Sequence, residues 1–290
     1  MKVIVLGATG MIGSAMLRQL SLRKDWRVVG VVRDVARAKR LGNLFKACCH
    51  GYDFACPDHL ARLFRQLRPD AVVNCAGLTK HLPEGNDPIP ALTLNALLPH
   101  RLAELCDLTG ARLIHVSTDC VFSGSKGSYL ESDPPDAIDV YGKTKHLGEI
   151  ENGNTLTLRT STIGHELGTS FGLLEWFLSQ RECKGYRRAV FSGLPSTEFA
   201  NVVRDRVLVQ PGMSGLYHVG AAPIDKHSLL RLIAKTYGTA TKISASDDVV
   251  IDRSLNVERF AAATGYVAPA WPQLIESMHE YHMSEKSCDV

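Results

Sequence analysis

The feature that most constrains this chain is an alternation. Short apolar runs, KVIVLG, RVVGVV, KACCHG, DAVVNCA, RLIHVS and TLTLRT, recur through the first 160 residues, and amphipathic segments separate them. Apolar runs of that length, bounded by turn residues, are strands, and the periodicity between them is helical. Parallel neighbours need a crossover connection, and a helix supplies it, so the alternation predicts a parallel sheet. The runs are apolar on both faces, which demands helical cover on both sides through right-handed crossovers. The expected fold class is therefore α/β, a doubly wound parallel sheet with six strands before residue 161.

Beyond LRTSTIG the pattern loosens into Gly- and Pro-rich connections, with helices expected at FGLLEWFLSQ, HSLLRLIAKTYG, NVERFAAATG and WPQLIESMHEY. We expect residues 1–160 to form a nucleotide-binding domain of Rossmann type. Residues 161–290 should form mainly a smaller, substrate-binding lobe, with room for some segments to return to the first domain. In open sheets of this kind ligands sit beyond the carboxyl ends of the strands, so the loops that follow the strands are where chemistry is sought.

The first such loop reads GATGMIG, with glycines at 7, 10 and 13, between a strand and the helix SAMLRQL. Gly7 allows a tight turn, Gly10 lets backbone approach a pyrophosphate, and Gly13 lets the helix pack close. The amides of Met11 and Ile12 are then the expected anion donors at the helix N-terminus. No GK[ST] sequence follows, so this is not a P-loop. The second strand ends GVVRDVARAKR, where Arg33, helped by Arg37 or Lys39, suits the 2′-phosphate of NADP. Asp34 leaves NAD open. After the third strand, Asp53 is placed to accept from an adenine amino group and Phe54 to flank the ring. After the fourth, Cys75, Ala76 and Gly77 are small enough for backbone to lie against a cofactor.

DVYGKTKHLGE sets Tyr141 four residues before Lys145, one helical turn apart on the same face. A phenol titrates near 10 and is a poor acid at neutral pH, and a neighbouring ammonium would pull it down. HVSTDCVFSG follows the fifth strand and offers Ser117 or Thr118 to a substrate carbonyl and Asp119 to a substrate hydroxyl. Together with the glycine loop these residues suit a carbonyl reductase.

GATGMIG, LRPDAVVNCAG, HVSTDCVFSG, VYGKTKHLGE, LRTSTIG and GLYHVG, in that order, resemble segments of the extended short-chain dehydrogenase/reductase superfamily, and within it the dTDP-4-dehydrorhamnose reductase-like nucleotide-sugar reductases. The likeness is dense over residues 1–165 and thinner beyond. It implies that Thr118 polarises a C4 carbonyl, Tyr141 donates the proton, and Lys145 binds the nicotinamide ribose and lowers the phenol's pKa. The implied activity is NAD(P)H-dependent reduction of the 4-keto group of a nucleotide-linked 4-keto-6-deoxysugar, in nucleotide-sugar biosynthesis for cell-surface polysaccharide. Cys120 stands where many of these reductases carry an aromatic residue, and LTKHLPEGNDPIPALTLN also departs from them, which leaves the sugar open. Arg187, Arg188 and Arg253 are the candidate cations for a substrate diphosphate, with Lys80 and His81 as further substrate contacts. Alternatives are an epimerase or dehydratase of the same superfamily and a non-catalytic NADP-binding regulatory subunit.

The bulk properties exclude several other classes. Basic residues are scattered at a formal net charge of +3, which gives no nucleic-acid footprint. No apolar stretch approaches the roughly 20 residues that span a bilayer, and the N-terminus lacks a signal-peptide layout. A cytoplasmic protein is expected, with a homodimer left open. The cysteines at 48, 49, 56, 75, 106, 120, 183 and 288 contain no CxxC pair and no zinc spacing, so they read as reduced, mostly buried thiols with no metal.

Overall fold

The computed structural model describes residues 1–40, 42, 45, 49–80 and 83–288. Its centre is a seven-stranded sheet, ordered β11-β6-β5-β4-β1-β2-β3. The strands are Lys2–Leu6 (β1), Arg27–Val32 (β2), Cys49–Gly51 (β3), Ala71–Asn74 (β4), Arg112–Thr118 (β5), Thr155–Thr160 (β6) and Gly215–His218 (β11). Every pairing in it is parallel. All six expected strands are present. For the third, KACCHG, residues 46–48 lie outside the described residues. The seventh, GLYH, comes from the C-terminal half and closes the edge beside β6. Its alternating half-buried and buried residues give it a weaker strand signature than the six continuous apolar runs.

The two faces of the sheet divide the apolar side chains by simple alternation. Val3 and Val5 on β1 join Val73, Ile114 and Leu158 on one face, under helix Met11–Ser21 (α1). Ile4 and Leu6 join Val72 and Leu113 on the other, under Pro57–Leu67 (α3) and Leu98–Thr109 (α4). The short helix Val35–Arg40 (α2) leads from β2 toward β3. Because β1 pairs with both β2 and β4, the chain winds first to one side of β1 and then to the other. A crevice opens where those two windings part, beyond the carboxyl ends of β1 and β4.

Helix Val140–Leu147 (α5) follows β5, and residues after β6 build a second, smaller layer. That layer contains Thr162–Ile163 (β7), Leu173–Leu178 (α6), Glu182–Tyr186 (β8), Ala189–Phe191 (β9), Leu194–Pro195 (β10) and Ser196–Val202 (α7). Ile224–Asp225 (β12), Lys226–Tyr237 (α8), Lys242–Ser246 (β13), Ile251–Asp252 (β14), Glu258–Thr264 (α9) and Trp271–Cys288 (α10) complete the chain. The four helices expected after residue 161 are therefore present as α6, α8, α9 and α10. Three of the short strands form one small sheet, ordered β12-β9-β14.

The ends of β5 and β6 are fixed by a buried ion pair. The Arg159 guanidinium forks onto Glu149, Nε to Oε1 at 2.8 Å and Nη2 to Oε2 at 2.7 Å. Ser117 Oγ donates to the same carboxylate at 2.6 Å, and the guanidinium lies over the Phe122 ring at 5.0 Å. Burial alone would raise the Glu149 pKa, but hydrogen bonds from Arg159 and His146, the Arg159 charge and the Ser117 hydroxyl hold it down to about 2. No helix among the described residues is long and apolar enough to cross a membrane. Cys56, Cys75, Cys106, Cys120 and Cys183 are free thiols, of which Cys106 is buried and the others half-buried, a more open set than expected.

A folded-state pKa held below the unfolded value contributes stability that is full above the unfolded pKa and disappears as pH falls through the folded one. For Glu149 that window runs from the ordinary value of 4.5 down to about 2. The stability at stake is on the order of 3 kcal/mol. Glu149→Gln leaves Arg159 buried without its counter-charge and should cost about 3–5 kcal/mol at pH 7. Urea unfolding of both proteins at pH 7 and pH 3 checks this. The variant should start lower and lose less between the two pH values, and equal midpoints at pH 7 would refute the assignment.

Candidate active site

The loop after β1 is shaped by contacts only glycine permits. Gly7 takes φ +71°, and a Cβ there would sit 2.8 Å from the Cα of Ala76 in the loop after β4. The two loops therefore touch across the crevice. A Cβ on Gly13 would fall 2.1 Å from the Gly7 carbonyl oxygen, so Gly13 packs α1 against the loop and is not part of the cavity wall. Gly10 precedes α1 without a capping side chain, and Met11 and Ile12 open the helix at the wall of the cavity. Uncapped first-turn amides and a glycine cradle suit a phosphate.

A cavity of about 880 Å³ takes in this loop, the end of β2 at Arg33, and the loops after β4 and β5. Phe54, Cys75, Ala76 and Gly77 line it as expected. Asp53 does not line it. Its carboxylate accepts from the Ala55 amide at 2.9 Å, forming a local turn in the exposed loop. Arg33 lies in the cavity wall with an exposed side chain. Asp53 thus stands in the exposed loop beside Phe54, outside the cavity wall.

Tyr141 reaches the cavity because of a close approach between α5 and the loop after β5. Asp139 caps the helix, its carboxylate accepting from the Gly142 amide at 2.7 Å. A Cβ on Gly142 would lie 2.3 Å from the Cys120 carbonyl oxygen, so only glycine lets the helix come this near. Asn95 locks the other end: it donates to the Leu78 carbonyl at 3.0 Å and to Thr144 Oγ1 at 3.2 Å, and accepts from the Leu78 amide at 2.8 Å. As a result the Thr118 hydroxyl comes near enough to the Tyr141 phenol to act on its pKa, and both residues line the cavity. The Cys120 amide donates to Thr118 Oγ1 at 3.1 Å and orients that hydroxyl.

The electrostatics differ from the sequence expectation in one respect. Burial pushes the Tyr141 phenol well above its ordinary value, Cys120 and Asp119 add to the rise, and the nearby Thr118 hydroxyl opposes it. Lys145 is not among the leading influences. Its buried ammonium donates to the Val116 carbonyl at 2.8 Å, behind the cavity wall, with its own pKa lowered by burial to about 8 and partly restored by Glu149 and Cys75. A helical turn of spacing puts the two side chains on one face, but the hydrogen bond of the ammonium goes to Val116. Asp119 is buried, its carboxyl raised by burial against the opposing pull of Arg253 and Lys226, and it accepts from the Thr118 hydroxyl at 3.2 Å.

The substrate cations divide. Arg253 lines the cavity, its Nε donating to the Phe122 carbonyl at 2.8 Å. Arg187 and Arg188 do not line it. The exposed Arg187 forks onto Asp247 in the adjoining turn, Nε to Oδ1 at 3.0 Å, which accounts for its place at the surface. Lys80 lines the cavity, while His81 and the side chain of Arg37 lie outside the described residues. The sequence reading missed Lys226, Phe191 and the stretch Thr160–Ile163, all of which line the cavity. No spacing signal marks them, because tertiary pairing among short strands brings them in. No cluster of His, Cys, Asp or Glu able to hold a metal occurs among the described residues.

Comparison with known proteins agrees with this geometry. The family model described as the RmlD substrate binding domain matches residues 1–279. A dTDP-4-dehydrorhamnose reductase of Burkholderia thailandensis is 33% identical over 176 residues, covering 59% of this chain and 53% of that protein. The dTDP-4-dehydrorhamnose reductase of Salmonella typhimurium is 29% identical over 236 residues, covering 76% of this chain and 73% of that protein. Among solved structures, the dTDP-4-dehydrorhamnose reductase of Bacillus anthracis in complex with NADP matches with a TM-score of 0.79 at 19% identity, over 97% of this chain and 99% of that one. The last likeness speaks for the fold. Because the family model runs from β1 into α10, sheet and C-terminal layer alike, this chain belongs to the RmlD substrate binding domain family.

Proposed function

We propose that this protein is an NAD(P)H-dependent reductase of the 4-keto group of a nucleotide-activated 4-keto-6-deoxysugar, working in the supply of precursors for cell-surface polysaccharide. The observation that carries the reading is that Thr118 and Tyr141 line the same cavity as the glycine loop. The dTDP-4-dehydrorhamnose reductases among its relatives support it. The residues fit a dinucleotide. Gly7 lets the first loop close onto the loop after β4, Met11 and Ile12 offer amides to the pyrophosphate, and Arg33 stands beside the end of β2 for a 2′-phosphate.

When bound, the reduced nicotinamide supplies hydride to the carbonyl carbon. Tyr141 then gives its proton to the oxygen that becomes an alkoxide. Its raised pKa keeps the phenol protonated beforehand, and an alkoxide is a strong enough base to take that proton. Thr118 lines the cavity beside it, and turning its one proton from Asp119 to the same oxygen would give the growing negative charge a second hydroxyl donor. Lys145, whose ammonium donates to the Val116 carbonyl, would be the residue to hold a hydroxyl of the nicotinamide ribose. Asp119 holds the Thr118 hydroxyl and is near enough to the substrate to take a sugar hydroxyl. The C-terminal layer forms the sugar side of the cavity through Phe191, Lys226 and Arg253. Such a reaction belongs in the cytoplasm, where reduced nicotinamide and nucleotide sugars occur together.

Reduced-nicotinamide absorbance, followed with a panel of dTDP-, UDP- and GDP-linked 4-keto-6-deoxysugars, tests the reading. Stoichiometric oxidation is expected with at least one member. Product formed without net oxidation would instead mark an epimerase. Tyr141→Phe removes only the proton donor and should lower kcat by about 10²- to 10⁴-fold while NADPH affinity, read by fluorescence, stays the same; full turnover would remove Tyr141 from that role. Arg33→Ala should weaken NADPH about tenfold or more and leave NADH nearly untouched, as loss of a charged hydrogen bond requires. Equal effects on both cofactors would remove the 2′-phosphate assignment.

A further inference from the structure

His115 is a titratable residue that the reaction leaves unused. It lies within β5, wholly shielded from water, on the face of the sheet that Leu113 shares, and it does not line the cavity. Its Nδ1 is 3.2 Å from the side-chain nitrogen of Asn74, while its Nε2 is buried without a partner among the described residues. Leucine would fill that space and leave no polar nitrogen unpaired, so the presence of a histidine points to the work of Nδ1.

The neighbour's chemistry fixes the state of the ring. The Ala76 amide can only donate, and it donates to Asn74 Oδ1 at 3.1 Å. The Asn74 NH2 is thereby turned to His115, so Nδ1 is the accepting nitrogen and the ring proton sits on Nε2. Burial, reinforced by the nearby charges of Lys145 and His100, holds the His115 pKa well below its ordinary value and keeps that lone pair free. Leu6, Asn74 and His115 form one row across β1, β4 and β5. At the end of that row the Asn74 side chain captures the amide of Ala76, which turns the chain out of β4. A Cβ on Gly7 would come within 2.8 Å of this same amide nitrogen, so the capture sets where the loop after β4 meets the glycine loop. Cys75, Ala76 and Gly77 carry that placement to the cavity wall.

We propose that His115 is a positioning residue for the dinucleotide: acting through Asn74, it holds the Ala76 amide and so seats the loop of Cys75, Ala76 and Gly77 against the glycine loop. The acceptor at Nδ1 selects one of the two orientations of the Asn74 amide. Rotated the other way, Asn74 would set its NH2 against the Ala76 N–H, donor against donor, and the loop would lose its anchor. The inference rests on the dinucleotide reading of the cavity, but the Ala76 amide offers a measure that needs no ligand.

Two variants separate positioning from packing. His115→Leu keeps most of the bulk and removes the acceptor, whereas His115→Asn keeps an acceptor near the place of Nδ1 and leaves empty space. NADPH affinity, read by nicotinamide fluorescence, should weaken about 5- to 10-fold in His115→Leu, as loss of one hydrogen bond requires. His115→Asn should recover most of that loss although its thermal midpoint is no higher than that of His115→Leu. Hydrogen exchange of the peptide containing Ala76, followed by mass spectrometry without cofactor, should quicken about 5- to 10-fold in His115→Leu and return toward wild type in His115→Asn. In an Asn74→Ala background, His115→Leu should add nothing to the loss of NADPH affinity. On an active sugar the His115→Leu effect should fall on the KM for NADPH and not on kcat. Unchanged NADPH affinity in His115→Leu, unchanged exchange at Ala76, or a His115→Asn that binds as weakly as His115→Leu would each overturn the inference. A wild-type protein that binds neither NADPH nor NADH would overturn the dinucleotide reading and the inference with it, an outcome told apart from the others because it shows without any substitution.

Discussion

The fork of Arg159 onto Glu149 is the interaction on which the site depends. It joins β6 to the segment just after α5, and through Ser117 it reaches the residue before Thr118. Both partners are buried, so each charge is tolerable only because the other is present. The pair therefore specifies one arrangement of β5, β6 and α5 against each other. Tyr141 on α5 and Thr118 at the end of β5 are held in register by it, and the Gly142 approach to Cys120 then brings their hydroxyls together.

Around that pair the cavity is assembled from two sources. The sheet contributes its loops at the point where the winding reverses, and these supply the glycine cradle and the small residues after β4. The C-terminal layer contributes charge: Lys226 and Arg253 emerge from a three-stranded sheet of very short strands whose main consequence is to aim two cations at one place. A dinucleotide and a sugar nucleotide need different things, backbone amides and close packing for one, side-chain cations for the other. The division between the sheet and the second layer follows that difference.

Burial sets the chemical character of the groups as much as their partners do. It keeps the Tyr141 phenol protonated, the Cys120 thiol neutral and the Lys226 ammonium poorly solvated. A proton donor, an uncharged neighbour and an ammonium in want of an acceptor are thus produced by one cause acting on three kinds of group.

The sequence by itself determined the parallel sheet, its helical cover and the positions of the glycine loop, Thr118 and Tyr141. These depend on local pattern: continuous apolar runs, glycine spacing at the first strand-to-helix turn, and a one-turn interval along a helix. It determined little about the sugar side. Arg187 and Arg253 were indistinguishable as isolated arginines, and only folding turned one onto Asp247 and the other into the cavity. Lys226 gave no signal, because its place comes from strand pairing among residues 189–191, 224–225 and 251–252, far apart in the chain and each too short to show a period. Lys145 shows the same limit from the other side. Spacing put it on the face of Tyr141, but the three-dimensional fold turned its ammonium to the Val116 carbonyl, since a buried cation takes the nearest acceptor the fold offers.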